Sequence, residues 1–155
     1  DWSAADTALA GFVARCIALR RRHGVFARDR WLQGSDVQWL NPHGEALHPH
    51  DWQARGVHAM QVWLHPVDAQ APELLLLINA QLHTQVFELP SVPGSAPFHW
   101  VLVLASDADP PAAVPPAPLP LLVEVPGRSL WVAESRAGPT TASGSDDGSS
   151  HGAPS

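Results

Sequence analysis

The tryptophan-rich segment from residue 31 to residue 52 holds the residue types best suited to binding a ligand. It reads WLQGSDVQWLNPHGEALHPHDW and sets Trp31, Trp39 and Trp52 among Gly, Asp, Asn, Pro and His residues. Each exposed indole leaves a large apolar area in water, so an ordinary surface loop has little use for so many. The rings are therefore either the buried anchor of a domain or a surface that binds something flat and polar, such as a sugar. For any single tryptophan, a place in the core is favoured.

Histidines are frequent in the same segment, where His43, His48 and His50 precede Asp51. A cluster of histidines with a carboxylate could bind a transition metal. The spacing follows no zinc pattern, however, and metal sites are usually built on ordered elements with supporting hydrogen bonds. The pattern favours histidines in a turn, and we predict no metal and no cofactor.

Fifteen acidic residues raise the question of a glycosidase, which needs two carboxylates about 5–5.5 Å apart for a retaining mechanism. Asp36 and Asp51, close in sequence to Trp39 and Trp52, are the best candidates, although pairing with an arginine or capping a turn is favoured for both. Four glutamates in or beside predicted strands are expected to be solvated: Glu73, Glu88, Glu124 and Glu134. No nucleophile elbow, phosphate-binding loop or dinucleotide fingerprint is present, so we assign no catalytic residue.

Composition narrows the class of protein. The chain has 155 residues, of which 45% are hydrophobic and 15% charged, and its net charge is -6 with no lysine. This disfavours a nucleic-acid partner, which needs clustered basic residues. No apolar run approaches the roughly 18 residues of a membrane span. The single cysteine, Cys16, cannot form an internal disulfide; we expect an inert core residue and a cytoplasmic protein.

One amphipathic helix is predicted from about residue 4 to residue 23. Its apolar residues recur at helical spacing: Leu9, Phe12, Val13, Cys16 and Ile17. Ser3 and Asp6 form a start signal, and the basic run at 20–22 complements the helix dipole. His23-Gly24 is a stop signal, with the glycine able to adopt the left-handed conformation.

The rest of the chain indicates an antiparallel β-sandwich of seven short strands. They are predicted near residues 36–40, 60–64, 73–79, 84–89, 100–104, 121–125 and 129–134. The LLLLI run in the third is typical of a strand covered on both faces, and Pro126-Gly127 predicts a hairpin-like link between the last two. The Pro-rich segment Asp107 to Pro120 is predicted to be an extended loop, and residues 137–155 a disordered tail.

Several stretches, read in order, resemble the C-terminal part of bacterial glycogen debranching enzymes of the isoamylase type, within the alpha-amylase superfamily. FVARCIALRRRHGVF resembles the last barrel helix of that family, with Gly24 in place of the usual proline. The segment from Arg30 to Trp52 resembles W-x-x-P-D-G-x-x-M-x-x-x-D-W, with Asn41-Pro42-His43-Gly44 at the P-D-G position and Leu47 for Met. LLLLINAQLHTQVFELP and VPGRSLWVAES resemble two strands of its C-terminal domain.

The resemblance covers roughly residues 1 to 136 and implies a retaining glycosidase that hydrolyses α-1,6 branch linkages of glycogen or its limit dextrin. The catalytic acids of the family belong to earlier barrel strands, so no catalytic role passes to a residue of this chain. It implies a barrel-derived remnant at 1–25, a C-terminal β-sandwich at 26–136 and the tail at 137–155. The opening DWSAADTALAG is like the approach to a helix, and we expect a fragment whose barrel lies upstream and whose partner is an α-glucan. The alternatives are a free-standing carbohydrate-binding module and a purely structural domain.

Overall fold

The computed structural model describes residues 6–54, 58–91, 98–107 and 117–137, and this part of the chain is mainly β, with antiparallel sheets and one helix, as predicted. Ser3, Trp2 and residues 138–155 of the expected tail lie outside the described residues. The elements are α1 (Thr7–Arg22), β1 (Val37–Leu40), β2 (Ala59–Leu64), β3 (Leu74–Asn79), β4 (Gln85–Glu88), β5 (Phe98–Ala105), β6 (Ala117–Pro118), β7 (Leu122–Val125) and β8 (Ser129–Ala137).

The strands form two antiparallel sheets of very different size. The large sheet has the order β1-β2-β3-β8-β5-β6, and the small sheet consists of β4 and β7. The LLLLI strand, β3, lies between β2 and β8, as its continuous apolar run predicts. Alternate leucines of β3 face opposite sides, and Leu74, Leu75 and Leu77 are all buried.

The small sheet covers one face of the large sheet, and the side chains between them form the first core. Phe87 of β4 and Val125 of β7 are fully buried there, together with Leu75 and Leu77 of β3. Trp63 and Trp100 belong to the same core and meet edge to face, with ring centroids 5.9 Å apart. This edge-to-face contact adds to the apolar area that both rings bury.

Helix α1 lies on the opposite face of the large sheet and completes a second core. Phe12, Cys16 and Leu19 pack there against strand residues that include Leu74 and Val132. Cys16 is thus a partly buried packing residue, as predicted. The predicted apolar stripe is split, however, because Leu9, Val13 and Ile17 do not pack in this core and are 56%, 47% and 46% exposed.

The ends of α1 differ in detail from the prediction. Asp6 is the N-cap, and its side chain accepts a hydrogen bond from the Leu9 N–H. His23 ends the helix in an extended conformation, and Gly24 begins a short 3₁₀ helix that runs to Ala27. The helix thus stops at the predicted place, but Gly24 does not use the left-handed conformation open to it, since the positive-φ residues of the described chain are Gly44 and Arg128.

Two strand predictions also need correction. β7 pairs with β4 and β8 pairs with β3 and β5, so the turn at Pro126-Gly127 crosses between sheets and closes no hairpin. Ala117 and Pro118, placed by the sequence in an extended loop, pair with β5 as a two-residue strand at the edge of the large sheet. Pro118 fits this place because an edge strand does not need its missing N–H. Residues 108–116 of the predicted loop lie outside the described residues.

Buried Asn79 joins the end of β3 to the crossing turn. Its Nδ2 donates to the carbonyl oxygens of His83, Val125 and Pro126 at 2.9, 2.9 and 3.1 Å. One side chain thus ties the two sheets together at this end. Within the described part of the chain, no helix is long and apolar enough to cross a membrane.

Candidate functional site

Asp36 organises the loop at the start of the tryptophan-rich segment. Its carboxylate is buried and pairs with two arginines: Arg28 Nη1 lies 2.9 Å from Oδ1, and Arg30 forms a two-pronged contact. The Gln33 N–H donates to Oδ2 at 2.9 Å. The loop between Arg28 and Asp36 is therefore held at several points by one side chain.

These contacts change the acidity of both partners. The hydrogen bond from Arg30, followed by that from the Gln33 N–H, lowers the pKa of Asp36 to about 2. The same hydrogen bond raises the pKa of Arg30 above its ordinary value. Asp36 thus stays ionised at neutral pH and acts as a structural anion, in the arginine-paired role favoured for it from the sequence.

Trp31 projects from this fixed loop into solvent. Its side chain is 93% exposed, and the neighbouring Leu32 is 42% exposed. Both line a cleft of about 470 Å³, and the other residues that line it are Val25, Phe26, Arg28, Asp29 and Arg30. The cleft therefore combines an exposed indole, other apolar side chains and side chains of both charges.

Trp39 and Trp52 form a second exposed aromatic group. They are 41% and 51% exposed, their ring centroids are 5.4 Å apart and their planes meet at 79°. A platform for a sugar chain needs coplanar exposed rings, so this edge-to-face pair does not provide one. Trp39 lies opposite Val62 on β2, on the face of the large sheet that carries α1.

The histidine segment is arranged as a turn. The rings of His48 and His50 stack at 5.7 Å, and Asp51 Oδ2 accepts a hydrogen bond from the His48 N–H at 2.7 Å. Asp51 thus caps a turn, in the role favoured for it. Among the residues that the structure describes, no group of three or more His, Cys, Asp or Glu side chains could hold a metal ion.

Two glutamates predicted to be solvated are not. Glu134 is only 5% exposed, and its Oε1 lies 2.9 Å from Nε2 of buried His23 and also pairs with Arg22. The prediction is wrong because the end of α1 lies over β8. Glu73 is partly buried and accepts from Trp63 Nε1 at 2.6 Å, with His65 Nδ1 3.4 Å from its other oxygen.

The remaining predicted residues fall into two groups. Glu88 and Glu124 are exposed, as expected, and Trp63, Trp100 and Trp131 belong to or pack on the core. The core position favoured for each tryptophan is therefore wrong for Trp31, Trp39 and Trp52, which are the exposed tryptophans of the described residues. The sequence prediction also passed over Asp29, whose position two residues before Trp31 was the available signal.

Comparison with known proteins gives the family context. The chain is 39% identical over 92 residues to a glycogen debranching enzyme of Dickeya chrysanthemi, and the match covers 57% of this chain. It is 40% identical over 91 residues to the glycogen debranching enzyme of Pectobacterium atrosepticum, with the same coverage. A glycogen operon protein GlgX homolog of Haemophilus influenzae is 37% identical over 90 residues. The resemblance to glycogen debranching enzymes is confirmed.

The extent of this similarity matters for function. In all three relatives, the match covers only 13% of the length of the relative. The chain thus matches a small part of proteins several times longer. No protein-family model matches it.

Proposed function

We propose that this chain is the C-terminal part of a glycogen debranching glycosidase that hydrolyses α-1,6-glucosidic branch linkages, and that it supports the catalytic barrel without supplying a catalytic residue. The observation that carries the proposal is 36–40% identity to proteins named for glycogen debranching, over more than half of the chain. The α-glucan substrate and a cytoplasmic location belong to the same proposal.

The carboxylates support a non-catalytic role. Asp36 and Asp51, the two candidates of the sequence, hold a loop and a turn respectively. A retaining glycosidase needs one carboxylate free as nucleophile and a second that exchanges protons with the leaving group. Both oxygens of Asp36 are bound to arginines, which leaves no free nucleophile, and a pKa of about 2 makes this carboxylate unsuited to donating a proton near neutral pH.

The exposed stripe of α1 supports contact with a missing partner. Leu9, Val13 and Ile17 follow one another at intervals of four residues, do not pack in the core under α1, and are all about half exposed. A row of large apolar side chains on a helix normally marks a buried face. We propose that residues 1–25 are the last helical part of the barrel, that this stripe packs on the rest of the barrel, that 26–136 form the β-domain and that 137–155 are a tail.

The first test is an assay of branch hydrolysis on limit dextrin. The purified 155-residue chain is expected to release no linear oligosaccharide, whereas the polypeptide encoded with its upstream sequence is expected to be active. Debranching by the chain alone, or a gene that starts at Asp1 with no barrel before it, would overturn the proposal.

The stripe gives a second readout in the longer polypeptide. Val13→Asp is expected to lower its stability by about 3 kcal/mol, because a carboxylate would be buried without a partner. Ala14→Asp, one residue further along α1, is the matched control, since Ala14 is also exposed but lies outside the stripe. Equal melting temperatures for the two variants would contradict a barrel contact at the stripe.

A further inference from the structure

We infer that the cleft beside Trp31 is a non-catalytic binding subsite for an α-glucan chain. The inference rests on the proposed function for the identity of the sugar, and on the geometry of the cleft for its place. Trp31, Asp29 and Arg30 are the residues that would contact the glucan.

Trp31 is exposed on a fixed loop. At 93% exposure the indole buries almost none of its apolar area against the rest of the chain. The backbone that carries it is nevertheless held firmly, because Arg28, Arg30 and the Gln33 N–H all bind buried Asp36. A large exposed ring on a preorganised loop loses little conformational entropy when it binds a ligand.

The side chains of the cleft match the chemistry of a glucose unit. A glucose unit has apolar C–H faces and a rim of hydroxyl groups, so it needs an aromatic face with polar groups beside it. Trp31 and Leu32 supply the apolar surface, and the exposed Asp29 carboxylate and the half-exposed Arg30 guanidinium supply an acceptor and donors. The cleft of about 470 Å³ lies within the usual range for small-ligand sites.

The charged residues of the cleft favour a sugar over a protein partner. The centre of a protein interface is depleted in charged residues. Here Arg28, Asp29 and Arg30 line the same concavity as Trp31, whereas the stripe of Leu9, Val13 and Ile17 has the apolar character expected of a protein contact. The two surfaces therefore suit different partners.

The test titrates the 155-residue chain, labelled with ¹⁵N at its tryptophan indoles, with maltoheptaose and follows the indole N–H signals by NMR. The Trp31 signal, assigned with Trp31→Phe, is expected to shift, and Trp31→Ala is expected to weaken binding at least tenfold. Because Trp31 is exposed, this variant should keep the circular dichroism spectrum of the parent chain. Trp52→Ala, which removes an exposed tryptophan outside the cleft, should leave the affinity unchanged.

One shallow subsite is expected to bind maltoheptaose with roughly millimolar affinity, so 20 mM should be enough to shift the Trp31 signal. The inference would be overturned if that signal did not shift at 20 mM maltoheptaose. It would also be overturned if Trp31→Ala bound maltoheptaose as tightly as the parent chain, or if cellohexaose bound equally well. If Trp31→Ala destabilises the longer polypeptide and leaves glucan affinity unchanged, Trp31 contacts the barrel instead. Branch hydrolysis by the longer polypeptide is measured separately, so the subsite can fail while the proposed function stands.

Discussion

Asp36 shows how one residue can shape a surface without taking part in chemistry. Its carboxylate accepts from Arg30 and Gln33 and pairs with Arg28, and these contacts hold the loop on which Trp31 sits. They favour the ionised form, so the pKa of Asp36 falls from 3.8 to about 2. A group whose pKa is lower in the folded state than in the unfolded state stabilises the fold above the unfolded pKa and ceases to do so as pH falls through the folded pKa.

Asp36→Asn should therefore lower stability at neutral pH, because the amide cannot pair with two guanidinium groups. The difference from the parent chain should shrink as pH falls from about 3.8 to about 2 and should vanish below that, where Asp36 of the parent is itself protonated. Urea unfolding midpoints at a series of pH values measure it. Asp29→Asn, at the exposed neighbouring carboxylate, is the control, and a deficit of Asp36→Asn that is unchanged below pH 2 would contradict the assignment.

The sequence predicted the roles of individual residues better than it predicted their burial. Asp36 and Asp51 have the arginine-paired and capping roles that the sequence favoured, because both roles depend on neighbours within a few positions. Glu134 was wrongly predicted to be solvated because its partner His23 is 111 residues away, and no local sequence pattern indicates such a pair. The exposure of Trp31 could not be predicted for the same reason, since burial depends on contacts distant in sequence.

At the scale of elements, the turn between β7 and β8 determines how the chain passes from the small sheet to the large one. A Cβ atom on Gly127 would lie 2.6 Å from the backbone carbonyl of Leu82, which leaves no space for a side chain. The next residue, Arg128, has φ 58°, and its N–H donates to the Gln81 carbonyl at 2.9 Å. The turn is thus packed directly against the segment between β3 and β4.

Gly127→Ala should lower the free energy of unfolding by about 2 kcal/mol, because a backbone segment must move to accept the methyl group. Arg128→Gly should change it by less than about 1 kcal/mol, since glycine relieves the left-handed strain but increases the entropy of the unfolded chain. Chemical denaturation of both variants checks the pair. A neutral Gly127→Ala would mean that the close approach to Leu82 does not constrain the fold.

Element positions were largely predictable and element partners were not. Period-two patterns placed seven strands within a few residues of those observed, and the unbroken apolar run gave the central place of β3. The link at Pro126-Gly127 was taken for a hairpin because turn residues specify a change of direction but not the sheet that the next strand joins. The strand β6 was not predicted because two residues are too few to show the period-two alternation of a strand.

At the scale of the whole molecule, the large sheet separates two cores of unequal character. The core under the small sheet is closed by fully buried side chains such as Leu75 and Phe87. The core under α1 relies on helix residues that are only partly buried, including Phe12, Cys16 and Leu19. This asymmetry is the arrangement expected if α1 shares its apolar residues between the β-domain and a barrel upstream.

The proposed boundary after residue 25 therefore predicts two levels of stability. Phe12→Ala should release α1 and lower hydrogen-exchange protection in residues 7–22 while the sheets keep theirs, because local units can open without global unfolding. Leu75→Ala should lower the free energy of opening that hydrogen exchange measures by about 3 kcal/mol in the helix and in both sheets, since it creates a cavity in the closed core. If Phe12→Ala instead lowers protection equally in the helix and in β3, α1 and the sheets form one cooperative unit, and the boundary at 25 must be abandoned. The pairing of His23 with Glu134 and the contacts of Val25 would then be what couples them.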